Sequence, residues 1–281
     1  MEVGIATSCS DQGLAPGVVA RMVEEAGFET VAFGEHSHIP AARQTPYPGG
    51  EGELPAGYER LLDLVVTLTC AALATETIRL ATGIMQIVQR DPIHAAKSVA
   101  TIDRISNGRM LLVTGSSWNI EEMRNHGVDP DTRYELLEER VLAMREIWAN
   151  DEASFHGRFV DFDRIWSWPK PVQDPMPVLI GGNSSGVEER ALRVGTGWAP
   201  LAFPGTPERV KAYLARAAEA GVETTVTAVG GGRLSPDVLE EYAAAGAERY
   251  LHSVGIQADE GQLAAELEQA LAARAELAGT P

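Results

Sequence analysis

Glu35-His36 closes the apolar run Thr30-Val31-Ala32-Phe33-Gly34 and is the pair in this chain best suited to proton chemistry. An imidazole has a reference pKa of about 6.5, so His36 can take or give a proton near neutral pH. A group placed for that work contributes a factor of about 10² to 10⁴ in rate. The same position also fits a hydrogen-bonded rim histidine with no chemical part. His38 completes a His-Ser-His pattern that raises a metal site as a third reading.

Three further polar, glycine-rich stretches follow apolar runs: Thr82-Gly83-Ile84-Met85-Gln86, Thr114-Gly115-Ser116-Ser117-Trp118-Asn119 and Gly181-Gly182-Asn183-Ser184-Ser185-Gly186. In the last, small residues let backbone amides approach an anion at the start of the helix expected near Ser185. A plain strand-to-helix turn is the other reading of that stretch. His94, His126 and His156 read as solvated or structural, and Trp148 as core on an amphipathic helix with Leu137, Val141 and Met144. Asp103-Arg104 and Ser106-Asn107-Gly108-Arg109 read as a helix end, a turn and the next strand, tied by ion pairs. A metal-dependent barrel hydrolase would need more His or Asp at later strand ends. Here Ile180-Gly181-Gly182-Asn183 and Trp198-Ala199-Pro200 offer none and only His252 remains, so no metal ligand is assigned. No serine-nucleophile elbow and no phosphate loop with Gly-Lys-Ser/Thr occurs.

The elements that must position these residues show in a repeated phrase. It reads Glu25-Ala26-Gly27-Phe28-Glu29-Thr30, then Glu219-Ala220-Gly221-Val222-Glu223-Thr224, then Ala244-Ala245-Gly246-Ala247-Glu248-Arg249. Each glycine suits a helix end in the left-handed conformation, and each following apolar run suits a strand buried on both faces. Apolar runs predict strands over 2–6, 30–34, 78–84, 109–114, 177–181, 196–201, 223–229 and 248–254. Helices are expected over 16–26, 60–75, 93–106, 131–149, 185–194, 206–220, 235–245 and 259–277. Eight such units predict an α/β fold, a single (β/α)8 barrel spanning 1–281, with an open doubly wound sheet as the alternative. Insertions are expected after the second and fourth strands, over 37–59 and 150–176, where long connections serve as lids or functional insertions.

Lys and Arg number 23 against 40 Asp and Glu, a formal charge of −17 that repels nucleic acid and anionic membrane. Cys9 and Cys70 are too few for a disulfide framework, and no apolar run of membrane-spanning length occurs. The chain is therefore expected to be soluble, unexported and cytoplasmic, with a small-molecule substrate.

Taken in order, several segments resemble the bacterial-luciferase-like monooxygenase superfamily, and within it the branch that uses the deazaflavin coenzyme F420. They are Phe33 to His36, Ile78 to Ile84, Arg90-Asp91-Pro92, Thr101 to Arg109, Gly115 to Asn119, Phe155-His156-Gly157 and Pro177 to Ser184. The resemblance implies a hydride-transferring oxidoreductase on a small organic substrate, with FMN-dependent monooxygenation as the alternative and a dimer as a frequent assembly. It implies His36 near the redox carbon, with Glu35 beside it. Gly83-Ile84 would form a bulge, often a non-prolyl cis peptide, behind the ring, and Gln86 would meet the ring edge. Gly115, Ser116 and Asn119 would line the ring and its ribityl chain, and Gly181, Gly182, Asn183 and Ser184 would hold the phosphate. Arg43, Arg90, Arg190 and Arg193 are candidates for the anionic tail. Relatives often carry Asp at position 35 and Gly at position 117, where this chain has Glu and Ser.

Overall fold

The computed structural model describes residues 1–48 and 52–279. Eight parallel strands close a barrel in the order β1 (Glu2–Thr7), β10 (Arg249–Ser253), β9 (Thr225–Gly230), β8 (Gly197–Ala199), β7 (Val178–Gly181), β4 (Met110–Thr114), β3 (Arg79–Thr82) and β2 (Thr30–Phe33). The helices around it are α1 (Pro16–Glu25), α2 (Leu64–Ala74), α3 (Pro92–Ile105), α5 (Arg133–Ala149), α6 (Val187–Val194), α7 (Thr206–Glu219), α8 (Pro236–Ala244) and α9 (Glu260–Gly279). A short helix, α4 (Ile120–Asn125), stands at the mouth after β4. The (β/α)8 expectation is met strand for strand.

Two layers of apolar packing account for closure. Small and aliphatic side chains fill the barrel interior: Ala6, Ala32, Ala81, Leu111, Val113, Leu179, Ala199 and Leu251. Alternate residues of the same strands, such as Ile5, Val31, Leu80, Leu112 and Ile180, face the helices. At the amino end of the strands Arg249, only 3% exposed, donates to Glu29 and Glu2 at 2.7 Å each. Burial works against that guanidinium's charge, and its bonds to Glu29 more than restore it.

The repeated glycines do what their position suggests. Gly27, Gly221 and Gly246 have φ of 78°, 66° and 91°. Each sits in the two-bond helix ending that satisfies orphan carbonyls, such as Gly27 N donating to Glu24 O at 2.8 Å and Phe28 N to Val23 O at 3.3 Å. The helix expected over 60–75 begins later, because Asp63 caps it by accepting from Val66 N at 3.0 Å.

The second insertion contains an antiparallel hairpin, β5 (Glu152–His156) with β6 (Asp161–Trp166), which lies beyond α5. Its turn is gripped by Glu139 on α5, which accepts from Arg158 N at 2.9 Å, Phe159 N at 2.7 Å and Val160 N at 3.1 Å. The ion pairs expected around Asp103 are corrected. Fully buried Asp103 instead accepts from Val172 N at 2.7 Å and from Gln173 Nε2 at 2.7 Å. Arg109 caps α2 by donating to Ala72 O at 3.0 Å and Thr75 O at 2.9 Å. Buried amides and carbonyls need partners more than the charges need each other. No helix among the described residues is long and apolar enough to cross a membrane.

No atom lies within 4 Å of a Cβ built on Gly221, so only its φ restricts that site. Gly221→Ala should therefore lower unfolding free energy by about 1 kcal/mol in urea titrations, and an unchanged midpoint would refute the left-handed assignment.

Candidate active site

The carboxyl ends of the strands carry the polar stretches, and two side chains lock the floor beneath them. Thr82 Oγ1 accepts from Val113 N at 2.8 Å, and Thr114 Oγ1 donates to Met85 O at 2.9 Å. Between them the Gly83–Ile84 peptide is cis. A Cβ on Gly181 would lie 3.2 Å from Ile84 Cγ2, and one on Gly115 would collide with Ile84 Cδ1. Ile84 thus rests on two glycines whose missing side chains make its room.

His36 leaves the end of β2 and is 7% exposed. The indole of Trp118 can only donate, and its Nε1 lies 3.3 Å from His36 Nε2. The ring hydrogen therefore sits on Nδ1, where it is donated to Glu122 Oε2 at 2.7 Å. Glu122, with 0% exposure, stands in the first turn of α4, a helix capped by Asn119 Oδ1 accepting from Glu122 N at 3.2 Å. Burial pushes the Glu122 carboxyl upward. The bonds from His36 and Ser37 and the nearby histidines outweigh it, leaving the group below its ordinary 4.5. Glu122 is the site residue the sequence reading missed. Its signal was Asn119-Ile120-Glu121-Glu122, a cap followed three residues later by Glu.

Glu35, 9% exposed, has different surroundings from its neighbour. Its Oε1 accepts from Arg90 Nε at 2.8 Å and its Oε2 from Gln86 N at 2.6 Å. Gln86 Nε2 donates to the Glu35 carbonyl at 2.8 Å and lies 3.1 Å from His36 Nδ1. Ser117 adopts a φ of 64°, the region where the resemblance implies glycine. An L side chain there costs about 1 to 2 kcal/mol, and the Ser117 hydroxyl offsets part of it by accepting from Gln89 Nε2 at 3.2 Å and donating to Gln86 Oε1.

The first insertion brings an aromatic wall. Tyr58 packs 5.2 Å from the His36 ring and Trp118 5.5 Å from it, while Tyr47 lies 5.5 Å from both Tyr58 and Trp118. Arg43 stands 5.6 Å over Trp118. Glu121 holds this segment by accepting from Gln44 N at 3.1 Å and Thr45 N at 3.2 Å. Residues 49–51, inside that expected insertion, lie outside the described residues.

Across the mouth, Gly182 has a φ of 107°, open space where a Cβ would stand, and its N–H on Ala199 O at 3.0 Å. Asn183 faces the next loop, donating to Leu201 O at 2.9 Å and accepting from Leu201 N at 2.7 Å. Ser184 lies beside Tyr134, whose ring is flanked by Arg133 at 4.4 Å and Arg190 at 4.6 Å. Burial raises the Tyr134 phenol, but Ser184 and the two arginines bring it below its usual range. Arg90 pairs with Glu35, and Arg190 and Arg193 pair with Glu138 at 3.0 and 2.5 Å. Two arginines absent from the sequence candidates stand near this loop: Arg209 donates to Asn183 O at 3.3 Å, and Arg133 lies over the Tyr134 ring. Among the described residues no three His, Cys, Asp or Glu side chains converge as a metal group. His36 and His38 turn to different partners, and His252 is buried with Nδ1 unpartnered.

A closed barrel with this glycine-floored, histidine-bearing mouth has known relatives. The chain belongs to the luciferase-like monooxygenase family, which it matches over residues 17–279. That membership makes it an enzyme of oxidation and reduction. An uncharacterized protein of Mycobacterium tuberculosis is 42% identical over 203 residues, covering 70% of this chain and 71% of its own. An FMNH2-dependent dimethylsulfone monooxygenase of Pseudomonas putida is 37% identical over 134 residues, 46% of this chain and 37% of its own. In shape, the chain matches an F420-dependent secondary alcohol dehydrogenase solved with an F420–acetone adduct, with a TM-score of 0.76 at 16% identity over 99% of both chains. A monooxygenase of Streptomyces bottropensis gives 0.70 at 23% identity over 97% of this chain and 79% of its own.

The depressed Glu122 carboxyl carries a pH signature. Its folded affinity for a proton is below the unfolded one, so its stabilisation is full above the ordinary value of 4.5 and is lost as pH falls through the folded value. Urea titrations should show a stability gap between wild type and Glu122→Gln at pH 7 that shrinks toward about pH 3. A gap that stays constant would remove the buried carboxylate from this account.

Proposed function

We propose that the protein moves a hydride between the deazaflavin coenzyme F420 and a small organic substrate, with His36 exchanging the accompanying proton. The observation that carries this reading is the buried His36–Glu122 pair. Its Nδ1–H is fixed on a carboxylate at 2.7 Å, and the lone pair of its Nε2 accepts from Trp118 Nε1 at 3.3 Å, a long contact that a substrate hydroxyl can displace. A hydride that leaves or joins carbon requires a proton to leave or join the adjacent oxygen, and Nε2 is the group placed to handle it. The Glu122 carboxylate holds the tautomer and stabilises the imidazolium that forms. Glu35, with both carboxylate oxygens committed, positions the turn through Arg90 and Gln86.

The residues present fit a flavin-like group. Gly83, Ile84, Gly115 and Ser116 offer a flat floor, and Gln86 a polar edge. Buried Asn119 keeps an Nδ2 donor that no atom of the described residues uses. Gly181, Gly182 and Ser184, with Arg133 and Tyr134, supply small residues, hydroxyls and positive charge for a phosphate against the chain's net −17. Asn183 would shape that loop through Leu201. When bound, the deazaflavin supplies the hydride-carrying carbon, and the aromatic wall of Tyr47, Tyr58 and Trp118 excludes water. The shape match to an F420-dependent alcohol dehydrogenase over 99% of both chains supports the reading. The FMNH2-dependent Pseudomonas relative favours the second one, an FMN-dependent monooxygenase.

Parallel fluorescence titrations of the purified protein with F420 and FMN discriminate the two readings. F420 should bind more tightly, and tighter FMN binding would overturn the proposal. With F420 bound, His36→Ala should slow coenzyme turnover on a panel of small alcohols and ketones by about 10² or more. Turnover unaltered by the substitution would remove His36 from the chemistry.

A further inference from the structure

The Glu122 carboxylate faces outward as well as inward. Its Oε1 accepts from Ser37 N at 3.0 Å and lies 3.3 Å from Ser37 Oγ. That exposed hydroxyl stands 2.9 Å from His38 Nδ1 and 2.7 Å from His126 Nε2, on rings 5.6 Å apart. Asn125 Nδ2 lies 2.9 Å from His38 Nε2. Four side chains thus run in hydrogen-bond contact from solvent to the buried pair.

The hydrogens in this chain are countable. An amide NH2 only donates, so His38 Nε2 accepts and the His38 hydrogen sits on Nδ1, directed at Ser37 Oγ. The single Ser37 hydrogen then has two takers, His126 Nε2 at 2.7 Å and Glu122 Oε1 at 3.3 Å. While His126 is neutral with Nε2 bare, the shorter contact wins. A proton gained by His126 from water turns Nε2 into a donor. Ser37 Oγ then accepts from both imidazoles, and its hydrogen is left for Glu122.

We propose that His126 and Ser37 are positioning residues that convert the protonation of a surface imidazole into a changed hydrogen bond at the buried Glu122–His36 pair. One proton moves from solvent to His126, one hydroxyl rotates, and no other bond changes. A Glu122 carboxylate that accepts this extra bond is a weaker base, so it holds the His36 Nδ1 hydrogen less strongly and lowers the appetite of Nε2 for a proton. Among the described residues, the following titratable and charged groups face the device. From the segment after β2 come Ser37 and His38, and from α4 come Glu122 and Asn125, with Arg124 adjacent in sequence. Beyond them stand the Glu35–Arg90 pair beside Gln86, Arg43 over Trp118, and Glu121 on the Gln44 and Thr45 amides. The meaning for turnover rests on the role given to His36 above, whereas the coupling itself does not.

The test uses the full chain, labelled with 15N at histidine, without cofactor or substrate. His36 and His126 signals are assigned from His36→Gln and His126→Ala and followed from about pH 5 to pH 9. The His36 ring nitrogens should show an inflection at the midpoint of His126, in addition to any of their own. That inflection should vanish in Ser37→Ala and His126→Ala and persist in Ser37→Thr, which keeps the hydroxyl. The 13C signal of the Glu122 carboxyl should show the same pattern and serves where the His36 signal is broad. Absence of the inflection in the wild type, or its survival in Ser37→Ala, would overturn the proposal. Because nothing is bound, failure here is separable from failure of the F420 reading, which the coenzyme titrations judge.

Discussion

A carboxylate sealed from water must be met by donors on every side it presents, and in this protein Glu122 imposes that demand on the barrel mouth. The loop after β2 brings His36 and Ser37 to it, while the cap at Asn119 keeps the short helix in register beneath them. Two connections that leave different strands are thereby joined at one point. The stretch between Glu35 and Gln86 adds a second tie, and Arg90 closes it. His36 is therefore held from both flanks, its ring plane and tautomer set before any ligand arrives. Pre-set geometry of this kind reduces the reorganisation a proton transfer must pay for.

Beneath that polar layer the barrel works by subtraction. Alanines at 6, 32, 81 and 199 and glycines at 83, 115 and 181 leave the upper interior shallow, and Ile84 fills what remains. A barrel plugged by large side chains to its rim would present no floor at this height. The charged cluster about Arg249 lies at the other end, where the half-buried Glu29 and the exposed Glu2 satisfy a buried guanidinium away from the chemistry.

Much of the architecture was legible because it is local. A glycine after a helix, an apolar run after the glycine, and eight such alternations follow from short-range periodicity, and each strand of the barrel overlaps its expected run. The polar stretches at the strand ends were readable for the same reason. What sequence reading missed was created by contact between distant segments. Glu122 is an ordinary surface glutamate on a short helix until the loop after β2 folds onto it. Tyr134 opens a helix far from Ser184 in the chain and meets it only in space. Asp103 looked like half of an ion pair because two arginines are near in sequence, yet unsatisfied backbone amides across the turn claimed it. The hairpin beyond α5 was hidden among turn residues, its register set by Glu139 on a helix and not by its own pattern.

The pairing of β1 with both β2 and β10 has a consequence for how the chain reaches this state. Glu2 aligns with Arg249 in that seam and also bonds it, across 247 positions of sequence. Until that seam is made, the assembling sheet carries two open edges with unpaired amides and carbonyls. Such distant closure is slow, because a long loop must be ordered before the contact rewards it. The protein's interval of vulnerability to self-association is therefore set by its last seam, and the ring of acid and base at the barrel's foot acts as the clasp that ends it.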